Sequence, residues 1–288
     1  MLTHLLRVSG SDCLEAVVGW LQKFLKSESN PADTYSMTDL ENAAIEAKNL
    51  TVEYKTGGAK KRAAVSGLSF RVERGEIVGF IGPNGAGKTS TIKSLLDFTP
   101  VKSGNCFING IPTSDPRSRM RLGYMPEISY YPKYLTLEEF LDVCAQVSGM
   151  QRKARRLAVV QAAERVGMSA HLKSRLAGFS KGMLQQAGCA QALVHHPDIL
   201  ILDEPTSGLD PIARMRMREL LSELRDEGKT ILFSSHELGE IEMVADRILL
   251  LNDGHLVSQG SIADIVGLDG NLEKAFLRLL WEDAKWAA

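Results

Sequence analysis

Apolar positions along the chain change their period several times. Residues 12 to 26, DCLEAVVGWLQKFLK, put Leu14, Val17, Val18, Leu21, Phe24 and Leu25 on one helical face, with Asp12, Glu15, Gln22, Lys23 and Lys26 off it. The polar stretch SESNPADTYSMTD, with Pro31, predicts a linker and a domain boundary near residue 42. Strand patterns follow in AIEAKNLTVEY, LSFRV and EIVGFI, the last almost continuously apolar, as in a strand buried on both faces. A Gly-rich turn then leads into a helix, TSTIKSLLDF, and FINGIP carries an Asn-Gly hairpin signal. Residues 136 to about 195 read as helical in TLEEFLDVCAQV, RKARRLAVVQAAERV and KGMLQQAGCAQALV. Beyond them DILILDE, a helix near 211 to 227, TILFSS, a helix near 237 to 245 and DRILLL alternate, before a closing hairpin strand, DGHLVSQG, and a last helix, NLEKAFLRLLWEDAKW. This order predicts an α/β fold with a largely parallel sheet and a helical insertion in its middle.

GPNGAGKT, Gly82 to Thr89, fits G-x-x-x-x-G-K-[ST] at every fixed position and lies between a buried strand and a helix. Glycines let such a loop turn its N–H groups toward phosphate oxygens, and the helix N-terminus adds a positive dipole end. Lys88 then bridges the β- and γ-phosphates of a nucleotide, and the Thr89 hydroxyl is placed to hold Mg2+. LILDEP, Leu200 to Pro205, ends an apolar strand on two carboxylates. Asp203 suits Mg2+, and Glu204 suits polarising an attacking water; acidic caps at strand ends are the simpler alternative. SSHE, Ser234 to Glu237, puts His236 at another strand end, either as an ordinary surface histidine or as a γ-phosphate contact that orients the water.

Composition narrows this little. Hydrophobic and charged contents of 44% and 24% are those of a soluble globular chain. A net charge of −1 supplies no general attraction for nucleic acid, so no nucleic-acid partner is expected. Cys13, Cys106, Cys144 and Cys189 show no metal-ligand spacing and read as reduced thiols in the cytosol. No apolar run approaches the roughly 20 residues that span a bilayer.

In this order the motifs resemble those of the nucleotide-binding subunit of ABC transporters. Gly82 to Thr89 matches Walker A, LILDEP matches Walker B, SGLD (Ser207 to Asp210) the D-loop, and His236 the switch histidine. FSKGM, Phe179 to Met183, matches the signature motif in position. The resemblance implies a P-loop NTPase core with an antiparallel β subdomain and a helical subdomain at about 128–196, all within residues 43–288, and residues 1–42 outside it. It implies ATP and Mg2+ as ligands. The nucleotide set becomes Tyr54, which matches the adenine-stacking aromatic, with Gly82, Pro83, Asn84, Gly85, Ala86, Gly87, Lys88, Thr89 and Ser90. Lys88, Glu204 and His236 are the catalytic set, and Thr89, Asp203 and Glu127 the metal set. Members of the family pair head to tail, so Ser180, Lys181, Gly182, Met183 and Asp210 are implied as contacts to a nucleotide held by a second subunit, identical or paralogous. Read by itself, Ser180 is a helix N-cap, and the two roles are compatible.

Several residues depart from the commonest family pattern. Only Ser180 and Gly182 keep LSGGQ, Gln186 stands where an arginine often follows, and GYMPE puts Glu127 where a glutamine is usual. S-K-G-M and YMPE both resemble the branch that serves ABC-2 type exporters. Glu127 adds negative charge beside a triphosphate, implying a stronger dependence on Mg2+. YPKYLTLEEFLDV is implied to form the groove for a transmembrane permease subunit, and the segment after His236 is too short for the β-barrel regulatory domain of many sugar importers. The expectation is an ATPase that powers a separate membrane exporter from the cytoplasmic face of the membrane. The alternative is a soluble ABC ATPase associated with ribosomes or DNA. For the helix at 12–26, packing on its own domain, docking a partner and lying on a membrane surface all stay open.

Overall fold

The structure, a computed structural model, describes residues 43–55, 61–127 and 131–287; the amphipathic segment at 12–26 lies outside them. Two sheets organise the chain. One is antiparallel, in the order β2-β1-β4-β5, from β1 (Ala43–Lys55), β2 (Lys61–Glu73), β4 (Ser103–Ile108) and β5 (Ile111–Pro112). The other has six strands, β10-β9-β3-β8-β7-β6, from β3 (Ile77–Ile81), β6 (Leu122–Met125), β7 (Ile199–Asp203), β8 (Thr230–Ser234), β9 (Arg247–Asn252) and β10 (His255–Ser261). Every pairing in it is parallel except β9 with β10.

The continuous apolar runs are explained by what lies on each side. Ile77, Ile81, Leu200, Leu202, Ile231 and Phe233 face one core, shared with the helices. Val78, Phe80, Ile199, Ile201 and Leu232 face another, shared with the antiparallel sheet and with Ile92 and Leu95 of α1 (Lys88–Leu95). Strands buried on both faces need apolar side chains at every position. In the antiparallel sheet, Asn109 and Gly110 take φ of 53° and 73° between the paired residues Ile108 and Ile111, which is the backbone an Asn-Gly hairpin needs.

The helical insertion is α2 (Leu137–Val147), α3 (Arg152–Arg165) and α4 (Lys181–Leu193). Thr136 and Glu139 close a reciprocal capping box at the start of α2. Next come α5 (Pro211–Asp226), α6 (Leu238–Val244), α7 (Ile262–Val266) and α8 (Leu272–Ala287). No helix among the described residues is long and apolar enough to cross a membrane. The expected elements recur with ends shifted by a few residues, and β2 extends well before LSFRV. Among the described strands and α-helices, two go beyond the expectation. One is α7. The other is β6, where Gly123 pairs with Leu200; a Cβ there would lie 2.2 Å from the Ala192 carbonyl oxygen, so only glycine lets the strand approach so closely. Its four residues, LGYM, are too few to show a period.

Candidate functional site

Three neighbouring parallel strands, β3, β8 and β7, end at the same level, and the loops after them converge. Such carboxyl ends are where open α/β sheets take ligands. The cleft there, about 330 Å³, is lined by residues 84–90 with Glu127, Asp203, Glu204 and His236. Residues from four separated stretches of sequence thus meet in one place.

The Gly82–Thr89 loop wraps the start of α1. Gly82 has φ of 152°, and a Cβ on it would sit 2.3 Å from the Leu251 carbonyl oxygen. Gly87 caps α1 with φ of 104°, where a Cβ would meet the Ala64 carbonyl oxygen at 2.6 Å. Only glycine fits either position. The amides of the first helical turn have no acceptors within the helix, and this turn lines the cleft. Lys88 donates Nζ to the carbonyls of Gly82 (2.6 Å) and Pro83 (3.3 Å). Burial lowers its pKa, while Glu204, Asp203 and Glu127 act in the opposite direction. Its ammonium thus spans the loop that a triphosphate would fill.

Asp203 and Ser234 are partners in register on β7 and β8. The buried Ser234 hydroxyl donates to Asp203 Oδ1 (2.5 Å), and the other carboxylate oxygen lies 3.5 Å from the Thr89 hydroxyl. Glu204 follows with φ of 54°, unusual for a residue with a side chain. Its amide donates to Ser234 Oγ (3.0 Å) and to the Ser234 carbonyl (3.2 Å), and its carbonyl accepts from Gln185 Nε2 (2.7 Å). His236 Nδ1 lies 2.7 Å from Glu204 Oε2. A carboxylate only accepts, so Nδ1 carries the hydrogen and Nε2 is left for another partner.

Mg2+ needs hard oxygen donors. Thr89 Oγ1 and Asp203 Oδ2 supply two that already approach each other, with Glu127 on the same wall. Among the described residues no three His, Cys, Asp or Glu side chains converge as a metal site. The donor set therefore suits an ion that takes its other ligands from phosphate and water, as Mg2+ does.

Other expected residues lie elsewhere. Tyr54 is 38% exposed near the end of β1, with its hydroxyl 3.5 Å from Thr99 Oγ1. Ser180 is the N-cap of α4, its hydroxyl accepting from the Met183 amide (3.2 Å). Asp210 caps α5, accepting from the Ile212 and Ala213 amides at 2.9 Å each. Ser180, Lys181, Gly182, Met183 and Asp210 are not among the residues lining this chain's cleft. Lys181 lies across Gly208 of SGLD: a Cβ on Gly208 would be 2.8 Å from its Cδ. Gln186 donates to the Val166 carbonyl (3.0 Å), tying α4 to the end of α3 where an arginine would seek an acid.

Ser234 and Gln185 were not among the expected site residues. Aligning the ends of the runs ILILD and TILFS would have paired Asp203 with Ser234. Gln185 had only a weak signal, a polar residue among the buried Ala187, Cys189 and Ala190.

A Gly-rich phosphate loop at the end of β3, facing an acidic pair at the end of β7 in the same parallel sheet, defines a P-loop nucleoside triphosphatase. Residues 65–207 match the ABC transporter family. An uncharacterised ABC transporter ATP-binding protein of Synechocystis sp. is 36% identical over 85% of this chain and 70% of its own length. The linearmycin resistance ATP-binding protein LnrL of Bacillus subtilis is 33% identical over 77% and 70%. A solved ATP-binding subunit of an ABC transporter superposes with a TM-score of 0.74 at 31% identity, over 82% of this chain and 99% of that one. The chain belongs to the ABC transporter ATP-binding family.

Proposed function

We propose that this protein is the ATP-binding and hydrolysing subunit of a membrane exporter, working as one of a head-to-tail pair and driving a separate transmembrane permease subunit. The observation that carries this reading is the meeting of Lys88, Asp203, Glu204 and His236 in one cleft beside the Gly-rich loop. Lys88 turns from the loop carbonyls to the β- and γ-phosphates, and the first-turn amides of α1 hold the same oxygens. Glu204 orients a water for in-line attack on the γ-phosphorus and accepts its proton; the bond to the β-phosphate oxygen breaks, and ADP and phosphate leave. His236, as an imidazolium, donates Nδ1–H to Glu204 and Nε2–H to the γ-phosphate. Thr89 and Asp203, with Glu127, would hold Mg2+, which when bound neutralises charge on the phosphates.

Tyr54 stacks on the adenine. Ser180, Lys181, Gly182, Met183 and Asp210 meet the nucleotide of a second subunit, an identical chain or a paralogue. The exporter assignment is supported by S-K-G-M and YMPE and by similarity to the Nod factor export ATP-binding protein I of Burkholderia orbicola, 37% identical over 69% of this chain. It places the protein at the cytoplasmic face of the membrane, attached through its permease, with residues 43–288 as the cassette, the helical subdomain at about 128–196, and residues 1–42 outside it.

The test is steady-state ATP hydrolysis by the full chain with Mg2+, together with light scattering for ATP-dependent dimers. Glu204→Gln is expected to bind ATP, to accumulate as dimer and to lose about 100-fold or more of the rate. Ser180→Arg is expected to bind ATP without dimerising. Normal turnover by Glu204→Gln would refute the assignment, and loss of monomer binding in Ser180→Arg would refute the contact in trans.

A further inference from the structure

Two adjacent glutamines on α4 hold different parts of the molecule. Gln186 binds the Val166 carbonyl within the helical insertion. Gln185, 6% exposed, reaches the other way and donates Nε2 to the carbonyl of Glu204 at 2.7 Å. A carbonyl only accepts, so the amide nitrogen must be the contacting atom. The peptide it holds is strained: φ of 54° at Glu204 persists only where the surroundings enforce it. Ser234 grips its amide side through two acceptors; on its carbonyl side the Ser207 amide (3.1 Å) holds it from within the same loop, and Gln185 is the side chain that holds it from α4.

The direction of the Glu204 carboxylate depends on that peptide, so it depends on where α4 sits. Lys181, the first residue of α4, is one helical turn, about 6 Å along the axis, from Gln185. One rigid turn therefore joins the Ser180–Gly182 end of the helix to the peptide of Glu204. We propose that Gln185 is a positioning residue for hydrolysis, through which the placement of α4 sets the aim of Glu204 in the same chain's cleft. The inference rests on the assignment of Glu204 made above. It adds a route between two nucleotides: the end of α4 that meets the partner's ATP is tied by Gln185 to the group that acts on this chain's own.

The test compares the wild-type chain with Gln185→Met, which keeps length and flexibility and loses the donor. Expected are a fall in kcat of about tenfold, from a misaimed carboxylate once the Glu204 carbonyl keeps only the Ser207 amide (3.1 Å) as donor, and a KM for ATP within about threefold. In the Glu204→Gln background the same substitution is expected to change the residual single-turnover rate by less than about twofold, because the group it positions has gone. Gln185→Leu repeats the comparison should the Met variant fail to purify folded. Wild-type kcat in Gln185→Met, or an equal fall in both backgrounds, overturns the inference and leaves the ATPase assignment standing. A wild-type chain without ATPase activity overturns the assignment, and the inference with it.

Discussion

Ser234→Ala is the most informative single change at the site, because one hydroxyl serves both acidic residues. Ser234 is 0% exposed. Its hydroxyl donates to Asp203 Oδ1 at 2.5 Å and accepts from the Glu204 amide at 3.0 Å. Removing it leaves the amide with a fallback, the Ser234 carbonyl at 3.2 Å, so no buried donor is orphaned. Asp203, 3% exposed, has no such substitute in that direction and loses a bond to a charged acceptor, worth about 1.5–3 kcal/mol. The void is the size of one oxygen and adds little. The expected loss is about 2 kcal/mol, or roughly 4–8 °C in Tm for a domain of this size. Urea unfolding followed by circular dichroism measures it, with an unchanged m-value showing that the unfolded state is not involved. Ser235→Ala is the control: that buried hydroxyl accepts only from the Glu237 amide (3.0 Å), a neutral bond worth about 1 kcal/mol. Should Ser234→Ala cost no more than Ser235→Ala, the charge-assisted bond to Asp203 is not what holds the end of β7.

His195 gives a pH-dependent prediction. Burial lowers its pKa, the Leu122 carbonyl accepts from its Nε2 at 3.1 Å, and its Nδ1 is buried without a partner. The unfolded chain takes up this proton near pH 6.5 and the folded chain only at lower pH. Its stabilising effect is therefore complete above about pH 6.5 and is lost as pH falls toward the depressed folded value. His195→Gln should flatten that part of the stability profile by up to about 1.4 kcal/mol per pH unit, measured by urea unfolding between pH 7.5 and 5; an unchanged slope would show that the imidazole charges freely in the fold. The thiols of Cys106, Cys144 and Cys189 are each pushed up to about 12 by burial. At pH 8 a thiolate fraction of about one in ten thousand follows, so mass spectrometry after maleimide treatment of the native protein should find all three unmodified and all three labelled in urea. Native labelling of Cys189, the most deeply buried, would contradict its place in the core.

What was legible in the sequence was what is encoded locally. The parallel strands announce themselves because two cores make every position apolar. Residues 82–89 announce themselves because glycine is required at 82 and 87 by contacts within the fold that no other residue survives. The Asn109-Gly110 turn needs nothing beyond itself. The illegible parts depend on partners far away in sequence. β6 is a strand because β7, more than seventy positions on, supplies its hydrogen bonds. Gln185 matters because Glu204, nineteen positions on, turns its carbonyl toward α4. Ser234 reads as an ordinary strand-end serine until β8 is laid beside β7. Motifs could therefore name the groups that act, but not those that hold them in place.

The departures from the commonest family pattern become intelligible together. Glu127 brings a carboxylate to the wall of this chain's cleft. Lys181 brings a cation to the start of α4, and there is room for it because Gly208, with φ of 74°, has no Cβ to block its methylenes. In the head-to-tail pair proposed above, α4 of one chain would face the cleft of the other. Each composite site then gains one negative group from the chain that binds the nucleotide and one positive group from the chain that closes over it. The net charge around the triphosphate is the same as with the neutral residues, but its distribution is not. An open subunit would then be less attractive to ATP by the charge of Glu127, and the closed pair would recover that attraction through Lys181. Electrostatics of this kind would shift binding energy from nucleotide capture to closure of the proposed pair.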